Sequence, residues 1–334
     1  MSVLRTPICD LLNIDYPVFQ AGMGWVARAD LAAAVSAAGG LGCIGAGSTT
    51  DADELRAEIR GVRAQTDRPF AVDILFATVA SKVDEAVRYT DKVMAMVDVV
   101  FEERVPVLIS GLGSPRDAIA GARERGIKVM SVVGAVRHAE KAVADGVDAV
   151  IASGSDGGGH VGSIGTAALI PAVVDAVDVP VLAGGGLADG RGLVAALSFG
   201  AQGVWMGTRF IATQEARAHE NYKLKIAATD SAGTIVTRAH SGKTCRLIRN
   251  AFTDSWAGRE AEIEPYPLQG MHVGHPASQR GRIEGDVENG VLPAGQSSGL
   301  IADVPSAGAV VRAVVEEANT VLSNLTAGNT LAAE

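Results

Sequence analysis

The sequence is poor in aromatic residues, which make up 4% of its 334 positions, and it holds only three cysteines. With so few large rings, the core has to be assembled from Val, Ala, Leu and Ile, with backbones approaching closely at glycines. Cys9, Cys43 and Cys245 are widely spaced, odd in number and in no CxxC pair, so neither a disulfide framework nor a cysteine zinc site is indicated. Free thiols suit a reducing compartment. No run of 18 apolar residues occurs, which argues against a helical membrane span. Residues 1–7 lack the apolar stretch of a signal peptide, and the expectation is a soluble, cytoplasmic protein. Positive charge is also short. The 29 Lys and Arg face 38 Asp and Glu, and the net charge of −9 speaks against nucleic acid or an anionic membrane as partner. The sequence leaves the oligomeric state open, a homodimer included.

What is present is a foldable chain: 48% hydrophobic and 20% charged residues, over a length that fits two domains or one large barrel. Its first two thirds alternate short β-rich apolar runs with Ala-rich helical stretches. Strands are expected at 17–20, 41–44, 70–74, 105–109, 127–132, 149–152, 179–183 and 203–206. Helices are expected near 30–38, 51–65, 81–101, 115–125, 136–145, 167–177, 189–199 and 215–228. Asp51 and Asp189 stand where N-caps are wanted, and Gly126, Gly146 and Gly200 where helices should stop. Eight strands, each followed by a helix, predict an α/β fold of the (β/α)8 TIM-barrel type. A doubly wound sheet more often stops short of eight strands.

After residue 229 the rhythm breaks. Residues 230–300 are polar, rich in Gly, Pro and His, and weakly periodic. The expected organisation is a barrel over 1–229 and a smaller excursion over 230–300 that covers the active-site end. The stretch 301–334 follows, with a helix over 306–325 returning to the barrel and a frayed tail from 326.

In such a barrel the chemistry lies at the C-terminal ends of the strands. Four of these ends carry unusual residues. Gln20-Ala21-Gly22-Met23-Gly24-Trp25 allows close backbone approach to a ligand. Ser155-Asp156-Gly157-Gly158-Gly159-His160 combines a costly glycine run with a histidine able to donate or accept a proton near neutrality. Gly184-Gly185-Gly186 and Met206-Gly207-Thr208-Arg209 follow the seventh and eighth strands, where many barrels hold a phosphate. A phosphate-bearing cofactor is the favoured reading of that pair. Gly40-Leu41-Gly42-Cys43-Ile44-Gly45 matches GxGxxG but follows a helix and contains the strand itself, so it reads as structural. His272 and His275 read as exposed loop histidines, and His138 as a surface residue. Lys243, Arg246 and Arg249 recur at i,i+3 spacing, and either clamp a phosphate or form a solvated helix face. No HxH follows the first strand, so a metal-dependent hydrolase is rejected and no metal is expected.

These segments resemble the flavin-dependent barrel superfamily that includes nitronate monooxygenase (2-nitropropane dioxygenase), FMN-dependent enoyl-ACP reductase II and a related NADH:quinone reductase. The resemblance runs from Thr6 to about Leu325 and is densest over 16–47, 154–165, 180–209 and 295–300. It implies FMN as cofactor, with Ala21, Gly22 and Met23 along the isoalloxazine and Gly185, Gly186, Gly207 and Thr208 on the phosphate. It places Gly158, Gly159 and His160 beside the flavin, His160 as the catalytic histidine. Asp73 stands where many members carry Asn. Asp156-Gly157 replaces a more usual Glu-Ala, and Ser153 occupies a position often held by Glu. The resemblance implies a small-molecule substrate. Oxidation of alkyl nitronates by O2 is favoured, and NAD(P)H-dependent reduction of an enoyl thioester (ACP or CoA) or a quinone is the alternative. The 242–250 segment resembles relatives that act on CoA thioesters, a reading in which Lys243 and Arg246 meet substrate phosphates. A non-catalytic barrel that binds a phosphometabolite is the competing class, and it predicts a colourless protein.

Overall fold

The computed structural model describes residues 4–47, 51–76 and 84–327. Its strands in chain order are β1 (Val18–Gln20), β2 (Gly42–Ala46), β3 (Phe70–Phe76), β4 (Val107–Gly113), β5 (Lys128–Val133), β6 (Ala149–Ser153), β7 (Gly159–His160), β8 (Val181–Gly184), β9 (Val204–Met206), β10 (Thr234–Thr237) and β11 (Cys245–Ile248). Eight of them form one parallel sheet in the order β1-β9-β8-β6-β5-β4-β3-β2. A parallel bridge between Phe19 and Leu41 brings the two ends of that order together, so the sheet is a (β/α)8 barrel. All eight expected strands are present. The fourth starts at Val107 rather than 105, because Pro106 has no N–H for the ladder.

The closing seam rests on little backbone. Leu41 N–H donates to Val18 O at 3.0 Å and Gln20 N–H to Leu41 O at 3.0 Å. The fully buried Gln20 side chain reinforces it, accepting from Cys43 N–H at 2.8 Å and donating to Cys43 O at 3.1 Å. An amide suits this position because it answers a donor and an acceptor of the same residue.

Strand residues alternate between two apolar environments, as a parallel sheet covered on both faces requires. Phe19, Cys43, Ala71, Ile109, Met130, Ile151, Leu182 and Trp205 share one cluster inside the barrel. Val18, Ile44, Val72, Leu108, Val129, Val150, Ala183 and Val204 join the larger cluster beneath the helices. The helix Pro7–Leu12 plugs the N-terminal end of the barrel with Ile8, Cys9 and Leu12, and Thr6 Oγ1 donates to Gln202 O at 2.6 Å.

The outer helices begin and end where the caps predict. Asp51 accepts from Glu54 N–H, and Asp189 from Gly192 N–H. Gly126, Gly146 and Gly200 follow helices with φ of +71°, +104° and +87°. The third helix runs Asp84–Glu102, and its expected start at 81–83 lies outside the described residues, as does the tail beyond 327. The expected helix over 215–228 is a correction. Only Glu220–Ala227 is helical; it packs with the segment 296–300, and its Tyr222 and Ile226 join the main apolar cluster. The eighth outer position is filled instead by Ala307–Thr326, which packs on the helices Gly190–Ser198 and Ala29–Ala37. Its buried stripe of Val310, Val311, Val314, Ala318 and Val321 supplies the apolar face that the short helix lacks.

The segment between those helices is more ordered than its polarity suggests. β10 pairs antiparallel with β11, and β11 pairs antiparallel with β7, so the excursion is bound directly to the glycine loop after β6. No helix among the described residues is long and apolar enough to cross a membrane.

Candidate active site

One cavity opens at the C-terminal ends of the strands. Ala21, Gly22 and Met23 from the loop after β1, Asp73 from β3, and Gly158, Gly159 and His160 around β7 line it. Gly185 and Gly186 after β8, and Gly207 and Thr208 after β9, complete that set. Lys243 and Arg246 are not among its lining residues. The fork of Arg246 is turned to the glycine loop instead, donating to Ser155 O at 2.9 Å and to Thr234 Oγ1 at 3.0 Å. Lys243 Nζ lies 4.6 Å from the centre of the Tyr266 ring. The expected helix face at 243–249 is an antiparallel strand preceded by a loop, with Arg249 exposed.

The glycine loop is held from several sides. Asp156 Oδ2 accepts from Thr166 N–H at 2.8 Å, which satisfies a donor at the start of the helix Thr166–Val174. Asp156 O accepts from Gln296 N–H at 2.9 Å, and Ser155 N–H donates to Ile164 O at 2.8 Å. Asp156 therefore has a structural use of its own. Gly185 and Gly186 adopt φ of +95° and +72°, two consecutive left-handed residues that a side chain would strain.

His160 is pinned by its strand pairing with Cys245 and by its side chain. Nε2 lies 2.7 Å from Ser241 Oγ, on a serine that is 4% exposed. The other ring nitrogen has no hydrogen-bond partner among the described residues. The His240 ring stacks on it with centroids 5.9 Å apart. Burial, aided by the charges of Lys243 and Arg282, pushes His160 down to about 4, so the ring is neutral at pH 7. His240 is held well below the usual histidine range by burial and by Arg282, His160 and His275. Burial pushes Asp73 the other way, well above the usual carboxylate range, and its Oδ1 has no partner among the described residues.

Several cavity residues escaped the sequence reading. Tyr222, His240, Ser241, His275 and Arg282 all line the cavity and all come from the C-terminal part of the chain. His275 is a correction: it opens the helix His275–Arg282 and faces the cavity. His272 is exposed and pairs with Glu264 Oε2 at 2.7 Å, and His138 is exposed. No spacing marks the missed residues, because the excursion brings them in from separate turns. A histidine or arginine in an otherwise unpatterned Gly-rich segment was the one available signal.

A (β/α)8 barrel whose strand ends gather glycine loops, a neutral histidine and a buried carboxyl in one cavity has the layout of an enzyme site. The family model described as "Nitronate monooxygenase" matches residues 5–317, and the chain belongs to that family of oxidoreductases. The chain is 35% identical to a Mycobacterium tuberculosis protein named "(3aS,4S,5R,7aS)-5-hydroxy-7a-methyl-1-oxo-octahydro-1H-indene-4-carboxyl-CoA dehydrogenase", over 97% of this chain and 99% of that one. It is 34% identical to a Staphylococcus saprophyticus protein named "Probable nitronate monooxygenase", over 96% and 99%. The solved structure of FabK from Thermotoga maritima superposes with a TM-score of 0.88 at 37% identity, covering 97% of this chain and 99% of that one.

Proposed function

We propose that the protein is an FMN-dependent oxidoreductase of the nitronate monooxygenase type, which oxidises alkyl nitronates with O2. The observation that carries this reading is His160: a neutral, cavity-lining histidine fixed by Ser241, with one ring nitrogen left unpartnered among the described residues. FMN is tested on two features of the site. The left-handed pair Gly185–Gly186 lines the cavity together with Gly207 and Thr208 and offers a cradle for a phosphate, and Asp73 Oδ1 is a buried polar atom with no partner among the described residues. Both suit FMN; Ala21, Gly22 and Met23 would line its ring, with Gly158 and Gly159 beside it.

FMN, when bound, supplies a two-electron acceptor that O2 can reoxidise. The chain's own residues prepare the substrate. With the proton on Nε2 donated to Ser241 Oγ, His160 turns the lone pair of Nδ1 to the cavity. It then takes the α-proton of a nitroalkane or holds the nitronate by a hydrogen bond. Burial keeps the imidazole unprotonated, so no proton has to leave it first. Work inside a reducing cytoplasm is consistent with three buried free thiols.

The second reading is an NAD(P)H-dependent enoyl-thioester or quinone reductase. It is favoured by the likeness to FabK and weakened by Lys243 and Arg246, the expected substrate-phosphate contacts, lying off the cavity wall. Anaerobic stopped-flow at the flavin band separates the two. Nitronate should bleach it rapidly while NADH and NADPH do not, and His160→Ala should retain FMN yet slow the nitronate step by about 100-fold or more. Bleaching by NAD(P)H alone overturns the proposal. An unchanged rate in His160→Ala removes the histidine from the chemistry.

A further inference from the structure

Arg282 is 7% exposed and is the one cation lining the cavity among the described residues. Two of its three guanidinium nitrogens are committed to carbonyls, Nη1 to Gly24 O at 3.1 Å and Nε to Val291 O at 3.3 Å. Among the described residues Nη2 has no hydrogen-bond partner, and no carboxylate lies within ion-pair distance of the group. The one carboxyl on the wall, Asp73, makes no ion pair with it, and burial shifts that carboxyl toward its protonated form. The remaining groups that feel the guanidinium are His160, His240, His275, Tyr222 and the Cys245 thiol, each held in its neutral form by burial. A buried charge left in such company is costly unless a ligand answers it.

We propose that Arg282 anchors a planar, delocalised oxyanion in this cavity, the nitronate group or an isosteric carboxylate, and so selects anionic over neutral substrates. This deepens the nitronate reading and rests on it. A guanidinium edge matches two oxygens on one central atom, which a nitronate and a carboxylate share and a neutral nitroalkane or thioester does not present with charge. The backbone contacts of Nη1 and Nε fix the plane of the fork before a ligand arrives, so little side-chain freedom remains to be lost on binding. His160 lines the same cavity and is near enough to Arg282 to feel its charge.

The test is calorimetric titration of purified holoenzyme with sodium propionate, and with propionamide as the uncharged isostere. Propionate should bind the wild type about tenfold or more tightly than the amide, and Arg282→Gln should abolish that preference. Arg282→Lys, which keeps the charge and loses the fork, should fall between. Between about pH 6 and 8 propionate affinity should stay flat, because arginine does not titrate there. Affinity that falls as pH rises through that window assigns the anion to a protonated histidine and overturns the proposal. Equal binding of acid and amide by the wild type also overturns it, a result that needs no variant to fold. Nitronate turnover measured on the same preparation keeps the two readings apart. Turnover without an acid preference leaves the function standing and removes the anchor. An Arg282-dependent acid preference without turnover supports the anchor and removes the nitronate.

Discussion

Asp73 lies 7% exposed at the cavity floor, with its Oδ1 unpartnered and a single backbone hydrogen bond, from Gly111, working against the effect of burial. Burial raises this carboxyl well above the usual range and so favours its protonated form, which carries one donor and one acceptor, much as an asparagine amide does. The difference from Asn, which read as a change of charge in the sequence, becomes one of proton bookkeeping. With its folded pKa raised, the group contributes stability below its unfolded value near 4 and loses it as pH climbs toward the folded value. Asp73→Asn has no such dependence. The variant should match the wild type near pH 4 and gain on it by about 1.4 kcal/mol per pH unit while Asp73 remains neutral in the fold. Urea midpoints at pH 5 and pH 8 measure this. Parallel pH curves for the two proteins show that Asp73 ionises normally.

At the scale of elements, the link that matters is the antiparallel pairing of β7 with β11, because it fixes His160 from outside the barrel. Arg246 tightens that link through Ser155 O and Thr234 Oγ1. Arg246→Ala should therefore cost about 1–3 kcal/mol of stability and lower kcat, with no selective effect on substrates that bear phosphate. Thermal unfolding, together with kinetics on a long and a truncated thioester, tests it. A loss confined to the phosphate-bearing thioester restores Arg246 as a substrate contact. The same pairing explains what the sequence could and could not convey. Barrel strands such as Phe70–Phe76 and the loops that end them were legible, since both burial pattern and glycine placement are local. Thr234–Thr237 and Cys245–Ile248 are four residues each, and their strand character comes from partners far along the chain. His240, Ser241, His275 and Arg282 were lost with them, and the i,i+3 spacing of Lys243, Arg246 and Arg249 suggested a helix for the same reason.

The whole molecule depends on the chain's return. β9 is followed by a long excursion, and only Ala307–Thr326 completes the ring of helices, between Gly190–Ser198 and Ala29–Ala37. The contact at Gly190 is backbone against helix. A Cβ built there would meet Val314 O at 2.6 Å and Glu317 Cβ at 2.7 Å, and these belong to a rigid element rather than to a movable side-chain tip. Glu317 Oε2 also accepts from Gly190 N–H at 2.7 Å, so the two helices are joined by a charge-assisted bond at the place where they touch most closely. Gly190→Ala should push the terminal helix outward and cost about 1–3 kcal/mol through overpacking. That corresponds to a fall in Tm of about 1–4 °C. Since Gly190 is not on the cavity wall, flavin content and turnover at 25 °C should stay at wild-type levels while the unfolding curve moves. An unchanged Tm would mean that the helix rides loosely on the barrel. A loss of bound flavin at 25 °C would mean instead that ring closure by this helix shapes the cavity at the C-terminal end of β8.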